Sequence, residues 1–164
     1  MGLIDQFISY SELVGNVNTV ISAAKIQQVL AKKGVKKRYV KADRFGLEPQ
    51  QPEIDEKGID EAVVEADYGI AETGTLVFSS RADSPTLFNY LGLHHIVLVE
   101  GATLLRYMED YWSVVRAGGN VHPRNINFIT GTSGTADIEA KNTRGAHGPR
   151  FLHIVIVGDD STGQ

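Results

Sequence analysis

Short apolar runs alternate along the chain with polar, glycine-containing segments, and this pattern predicts strands separated by helices. The predicted strands lie at 35–40, 68–71, 75–78, 95–99, 126–129 and 151–157. The predicted helices lie at 3–10, 22–30, 84–91, 104–115 and 135–141. Strands that alternate with helices in this way predict an α/β domain with a mixed, largely parallel sheet flanked by helices.

Length and composition narrow the class of protein. The chain has 164 residues, the size of one ordinary domain, and we expect residues 1–164 to form a single domain. Its formal charge of -4 lacks the positive excess typical of a nucleic-acid binder. The longest aliphatic run, 96–99, is far too short for a transmembrane helix, and the N-terminus has no basic region, so we expect no membrane partner and a cytoplasmic location.

Cysteine is absent from the sequence. This excludes disulfides, a cysteine nucleophile and any cysteine-ligated zinc or iron–sulfur centre held by this chain alone. The five histidines show no metal-ligand spacing, so we predict no intrinsic metal site and no intrinsic cofactor.

The first candidate motif, Gly69–Thr75, lies at the break between two apolar strands. Gly74 can adopt a positive φ and allow a ligand to approach the backbone, while Glu72 could act as a general base or a hydrogen-bond anchor. A hairpin turn whose polar residues only face water would have the same composition.

The second motif, Ile129–Glu139, leads from a strand through a Gly/Ser/Thr loop into a predicted helix. Free N–H groups at the start of a helix would bind an anion. Asp137 and Glu139 oppose this interpretation, because first-turn carboxylates already satisfy the helix dipole and would repel a phosphate. An ordinary helix cap therefore stays an alternative, and we also expect Glu72 and Asp137 to line one cleft beyond the carboxyl ends of the strands.

The third motif, Gly145–Arg150, precedes the last predicted strand. Gly148 and Pro149 restrict the backbone beside His147, which could act as an acid, a base or an anion contact. A loop histidine can also be incidental. Because the loop would lie at the wrong edge of a purely parallel sheet, we predict that the last strand runs antiparallel to its neighbours and so places His147 beside Glu72.

Taken in order, the segments Gly69–Thr75, Gly131–Glu139 and Gly145–Arg150 resemble the lactate utilisation protein C family, the LUD domain. The resemblance covers about 63–157, the motif-bearing part, whereas residues 1–60 match only loosely. The matching positions are Glu72, Asp137 and His147 as catalytic candidates, Thr73, Gly74, Thr75, Ser133, Gly134 and Thr135 as candidate ligand-binding residues, and Gly148 and Pro149 beside them.

The resemblance implies a fold like that of ribose-5-phosphate isomerase and the CoA transferases. It also implies a role in a system that oxidises L-lactate to pyruvate, in which cysteine-rich sister subunits hold the iron–sulfur clusters and this chain binds a small organic anion or supports assembly. Two alternatives stay open. The chain could be a stand-alone enzyme for a phosphorylated or folate-like molecule, with Glu72 as acid/base and 131–135 as the anion loop, or it could be a non-catalytic assembly factor.

Overall fold

The computed structural model describes residues 1–136, 142–144 and 148–158. The helices are α1 (Leu3–Leu13), α2 (Ile26–Leu30), α3 (Phe88–Leu91) and α4 (Met108–Ala117). The strands are β1 (Val17–Ser22), β2 (Arg38–Lys41), β3 (Ile59–Glu65), β4 (Tyr68–Ile70), β5 (Thr75–Ser79), β6 (Gly92–Glu100), β7 (Leu104–Leu105), β8 (Ile126–Ile129), β9 (Gly134–Ala136), β10 (Asn142–Arg144) and β11 (Phe151–Gly158). Short 3₁₀ turns lie at Ala23–Lys25, Asp43–Phe45 and Gly101–Thr103. No helix among these is long and apolar enough to cross a membrane.

A five-stranded parallel sheet in the order β1-β11-β6-β3-β2 forms the centre of the molecule. Its middle strand β6 has Ile96, Val97, Leu98 and Val99 fully buried, as expected where both faces of a parallel sheet are covered. One face packs against α1, α3 and the second sheet, and the other packs against α2 through Ile26–Leu30. The predicted α/β class, with a largely parallel sheet flanked by helices, is therefore confirmed.

A second, four-stranded sheet has the order β7-β4-β5-β8 and contains the predicted 68–78 hairpin. Its Ile70 and Val77 pack with Tyr111 of α4. The chain passes from the parallel sheet to this second sheet between Glu65 and Tyr68. The strand β8 was predicted as part of a single sheet, but the structure places it here, antiparallel to β5.

Several predicted helices begin later than the pattern indicated. In the predicted helix 22–30, Ser22 ends β1, Ala23–Lys25 is a 3₁₀ turn and the α-helix begins at Ile26. In the predicted helix 104–115, residues 104–105 are a strand and the helix begins at Met108. The predicted helix 135–141 is also wrong at its start, because Gly134–Ala136 is a strand paired with Asn142–Arg144. Residues 137–141 lie outside the described residues.

The predicted antiparallel orientation of the last strand is wrong as well. The strand β11 runs parallel to both of its neighbours, β1 and β6. Residues 148–150, directly before β11, therefore lie at the amino edge of the parallel sheet.

One buried titratable group makes the stability of this core depend on pH. His95 of β6 is only 1% exposed, stacks beside Phe78 and has no hydrogen-bond partner for either ring nitrogen among the described residues. Burial lowers the pKa of His95 to about 4, because the charged ring is desolvated.

We expect the folded protein to lose stability as the pH falls from about 6.5 to about 4, since the unfolded chain binds a proton at His95 first. The free energy of unfolding should fall by about 3 kcal/mol across this window because of His95. The variant His95→Leu should lack this pH-dependent loss. Urea unfolding near pH 7 and near pH 4 gives the free energy of unfolding of the wild type and of His95→Leu at each pH. An equal pH dependence in wild type and His95→Leu would contradict this account.

Candidate functional site

Three threonine hydroxyls connect the first motif to the second. Thr73 and Thr75 Oγ1 atoms lie 2.7 Å apart, and Thr75 Oγ1 lies 2.8 Å from Thr130 Oγ1. Thr75 begins β5 and Thr130 follows β8, so the antiparallel pairing of these strands brings the two segments together. We call Thr73, Thr75 and Thr130 the threonine cluster.

The cluster extends from the surface into the interior. Thr73 is exposed, whereas Thr75 is only 2% exposed. Each hydroxyl carries one proton, so a chain of three can present either a donor or an acceptor at its exposed end. Such chains polarise one another and strengthen in a low-dielectric environment.

The segment that joins α1 to β1 supports the cluster from behind. Asn16 Nδ2 donates to the carbonyl oxygen of Thr130 at 2.7 Å and to Ser11 Oγ at 3.0 Å. Asn16 Oδ1 is buried without a hydrogen-bond partner among the described residues, on the side where Gly131 lies. One amide proton of Asn16 therefore holds Thr130 and the other holds Ser11, while Asn16 Oδ1 accepts no hydrogen bond from the described residues.

The third motif meets the second through the backbone. Ser133 N donates to Pro149 O at 3.1 Å, and a Cβ on Gly148 would lie 2.9 Å from Ser133 Cβ. The two loops can approach this closely although β11 is parallel to its neighbours, because β8 belongs to the other sheet. The described parts of the second and third motifs thus meet at the amino edge of the parallel sheet, where Asn16 precedes β1 and Pro149 precedes β11.

Glu72 has a clear local partner. Its Oε1 accepts a hydrogen bond of 2.9 Å from Met108 N, the first residue of α4, and its own N donates to Arg106 O at 3.1 Å. Asp110 Oδ2 accepts from Tyr107 N in the same turn. The carboxylate of Glu72 therefore satisfies a free helix-terminal N–H and complements the helix dipole.

The remaining predicted site residues are placed as follows. Gly74 has φ +65° and lies against the backbone of Ser11. Gly134 and Thr135 belong to the β9–β10 ribbon, where Thr135 pairs with Thr143. Asp137 and His147 lie outside the described residues, so the predicted cleft between Glu72 and Asp137 and the predicted contact of His147 stay predictions.

Sequence reasoning did not single out Ser11, Asn16 or Thr130. Thr130 lies inside the second motif, directly before Gly131, and this position was the only sequence feature that could have identified it as a site residue. Asn16 follows Gly15 immediately before β1, but an isolated asparagine beside a glycine is typical of any turn. Its role depends on a partner that is distant along the chain.

Chemically, the described part of the site offers neutral hydrogen-bond donors and acceptors. Hydroxyl groups and loop N–H groups can bind a carboxylate or a hydroxyl group. Activation of a threonine as a nucleophile requires a base within hydrogen-bond reach. The nearest described carboxylate in these motifs, Glu72, is committed to capping α4.

Residues 22–157 match the family model of the LUD domain. The chain belongs to the LUD domain family. Lactate utilization protein C of Geobacillus kaustophilus (strain HTA426) is 34% identical over 97 residues, which cover 57% of this chain and 40% of that protein. Lactate utilization protein C of Deinococcus radiodurans is 26% identical over 156 residues, which cover 92% of this chain and 71% of that protein.

The fold has a solved counterpart. A DUF162 family protein from Deinococcus radiodurans superposes with a TM-score of 0.68 at 20% identity, covering 95% of this chain and 96% of that one. This likeness shows the fold alone. The match to the Geobacillus relative spans about two fifths of that relative's length.

We expect Glu72→Ala to lower the free energy of unfolding by about 1 kcal/mol, because α4 loses the acceptor for its first N–H group. The stability of Glu72→Gln should lie between that of the wild type and that of Glu72→Ala, since an amide oxygen still accepts the hydrogen bond from Met108 N but carries no charge. The control is Glu109→Ala, because Glu109 is an exposed acidic residue in the first turn of α4. This substitution should change the free energy of unfolding by less than about 0.5 kcal/mol. Urea unfolding measures all three variants. An unchanged midpoint for Glu72→Ala would show that Glu72 does not stabilise the helix.

Proposed function

We propose that this chain serves in lactate utilisation, as the subunit of an L-lactate-oxidising iron–sulfur system that binds a small organic anion or supports assembly of the complex. The observation that carries the proposal is the threonine cluster, which joins the first motif to the residue directly before the Gly131–Glu139 segment in one polar site. The name of the relatives in Geobacillus and Deinococcus supports the same role.

The cluster suits a 2-hydroxy or 2-oxo acid. The exposed hydroxyl of Thr73 can donate to a carboxylate, and the loop 131–134 that follows Thr130 brings two glycines, which let a ligand approach the backbone closely. The open acceptor Asn16 Oδ1 beside Gly131 is a group that a hydroxyl or N–H donor would stabilise, since an unsatisfied buried acceptor is costly.

Electron transfer in such a system falls to partner subunits. Lactate oxidation releases two electrons, and a chain without cysteine has no thiolate to ligate an iron–sulfur cluster. We propose that cysteine-rich sister subunits carry the clusters. The proposed contribution of this chain is to hold the anion or to hold those subunits together.

Deletion of the gene in its source organism tests the function. We expect growth on L-lactate as sole carbon source to fail or slow severely, while growth on pyruvate stays normal. Complementation with the wild-type gene should restore growth on L-lactate. Undiminished growth of the deletion strain on L-lactate would refute the proposed function.

Complementation with variants tests the site. Thr75→Val keeps the shape of the side chain but removes the central hydroxyl, so we expect it to restore growth at less than about half the wild-type rate, whereas Thr75→Ser should restore it fully. Thr103→Val is the matched control, because Thr103 makes its single hydrogen bond to Glu100 O elsewhere in the fold. Protein abundance is measured in each strain to exclude simple unfolding. Wild-type growth with Thr75→Val would remove the threonine cluster from the proposal.

A further inference from the structure

A polar cavity lies at the opposite end of β5 and β8 from the threonine cluster. It has a volume of about 300 Å³. Its lining comprises two arginines, three hydroxyl side chains, one amide and two apolar residues: Arg81, Arg124, Ser80, Ser84, Thr86, Asn125, Ala82 and Pro85. Every hydrogen-bonding side chain in this lining can donate and none is a carboxylate, and we call the cavity the arginine pocket.

The two walls of the pocket are joined by one backbone hydrogen bond and one hydrogen bond from the backbone to a side chain. Ser80 N donates to Asn125 O at 2.9 Å, and Asn125 N donates to Ser80 Oγ at 2.9 Å. The turn that follows is closed by a bond from Ser84 N to Arg81 O at 3.2 Å. The pocket is therefore built by paired segments rather than by two independent loops.

Carboxylates behind the pocket hold Arg81 in a fixed orientation. Its Nη1 lies 2.9 Å from Asp67 Oδ1 and its Nη2 lies 3.3 Å from Glu65 Oε1. The side chains of Glu65 and Asp67 are only 8% and 14% exposed, and both also contact Arg44. Because a guanidinium group has five N–H donors, these contacts leave Arg81 with donors for a ligand.

The charges around the pocket favour an anion inside it. Arg124 approaches from the segment before β8 and is exposed, so it adds a cation on the wall opposite Arg81. Asp83 lies in the 81–84 turn, 4.0 Å from Arg81 Nε, but it is not part of the lining and pairs with Lys41 at 3.2 Å. Lys41 also pairs with Asp43, so it compensates the negative charge of Asp83 only in part.

We propose that the arginine pocket binds the phosphate group of a small phosphorylated metabolite. Two guanidinium groups and three hydroxyls supply enough donors for the three terminal oxygens of a phosphate monoester, and arginine matches phosphate geometry with paired N–H donors. Through Glu65 the pocket adjoins the carboxyl end of β3, the side on which open α/β sheets bind ligands. This site is separate from the threonine cluster and does not depend on the proposed role in lactate utilisation.

An NMR titration of the ¹⁵N-labelled full chain tests the proposal, with glycerol 3-phosphate, glycerol and L-lactate as probes. We expect glycerol 3-phosphate to shift the backbone amides of Ser80, Ala82 and Thr86 in a saturable way, with Kd on the order of 1 mM or below. Glycerol should have no effect. L-lactate should leave these three amides unchanged, because it carries no phosphate.

Matched arginine variants locate the binding. Arg124→Ala should weaken glycerol 3-phosphate binding by at least about tenfold, which corresponds to about 1.4 kcal/mol. Arg116→Ala removes an equal charge from the last turn of α4, outside the pocket, and should leave Kd unchanged. Because Arg124 is exposed, its substitution is not expected to disturb folding.

Three results would overturn the proposal. The first is the absence of saturable shifts at Ser80, Ala82 and Thr86. The second is equal binding by Arg124→Ala and wild type. The third is binding of L-lactate in the pocket as tight as that of glycerol 3-phosphate, which would show a general carboxylate site.

Discussion

The close approach of α1 to the β4–β5 hairpin is the constraint on which the threonine cluster depends. A Cβ at Gly74 would lie 2.5 Å from Ser11 N and 2.6 Å from Ser11 Cα, and a Cβ at Gly69 would lie 2.5 Å from Leu104 Cδ2 and 3.0 Å from Phe7 Cε2. At Gly74 the close atoms are helix backbone, so only glycine leaves room for α1 there, whereas at Gly69 they are the ends of the Leu104 and Phe7 side chains. Phe7 and Ser11 are fully buried as a result.

The position of α1 then determines the position of the site. The helix ends at Leu13, and three residues later Asn16 binds both Ser11 and the carbonyl of Thr130. Thr130 in turn holds Thr75 and, through it, Thr73. A segment that lies before the residues matched by the family model therefore supplies the support of the polar site.

The two ends of the second sheet carry different chemistry. The end near α1 presents neutral hydroxyl and amide groups, whereas the end near β3 presents the ion pairs of Glu65 and Asp67 with Arg44 and Arg81. These half-buried carboxylates connect the parallel sheet to the second sheet at the point where the chain passes between them. Loss of one partner from such a network leaves a partly buried carboxylate uncompensated, which lowers the stability of the fold.

Local sequence signals predicted much of the fold but less of the site. The apolar run of β6, the hairpin around Gly74 and the strand β11 have strong patterns and are confirmed. The strands β7 and β9 are two and three residues long, so their identity depends on distant pairing rather than on pattern. No local signal shows to which sheet β8 belongs either. The prediction placed β8 and β11 in one sheet, and this wrong assignment led to the wrong orientation for the last strand. Asn16 was missed for the same physical reason, because its partners lie far along the chain.

The docking of α1 against Gly74 is tested most directly by comparing two glycine-to-alanine variants. Gly74 and Gly46 have nearly equal φ angles, +65° and +67°, but a Cβ at Gly46 would meet no atom within 4 Å. Both variants incur a left-handed backbone cost of about 1 kcal/mol, and Gly74→Ala adds the clash with Ser11, about 1–3 kcal/mol more. Urea titrations of the wild type and both variants measure how much each substitution lowers the free energy of unfolding. A Gly74→Ala loss clearly larger than that of Gly46→Ala is the expected result, and equal losses would contradict the account.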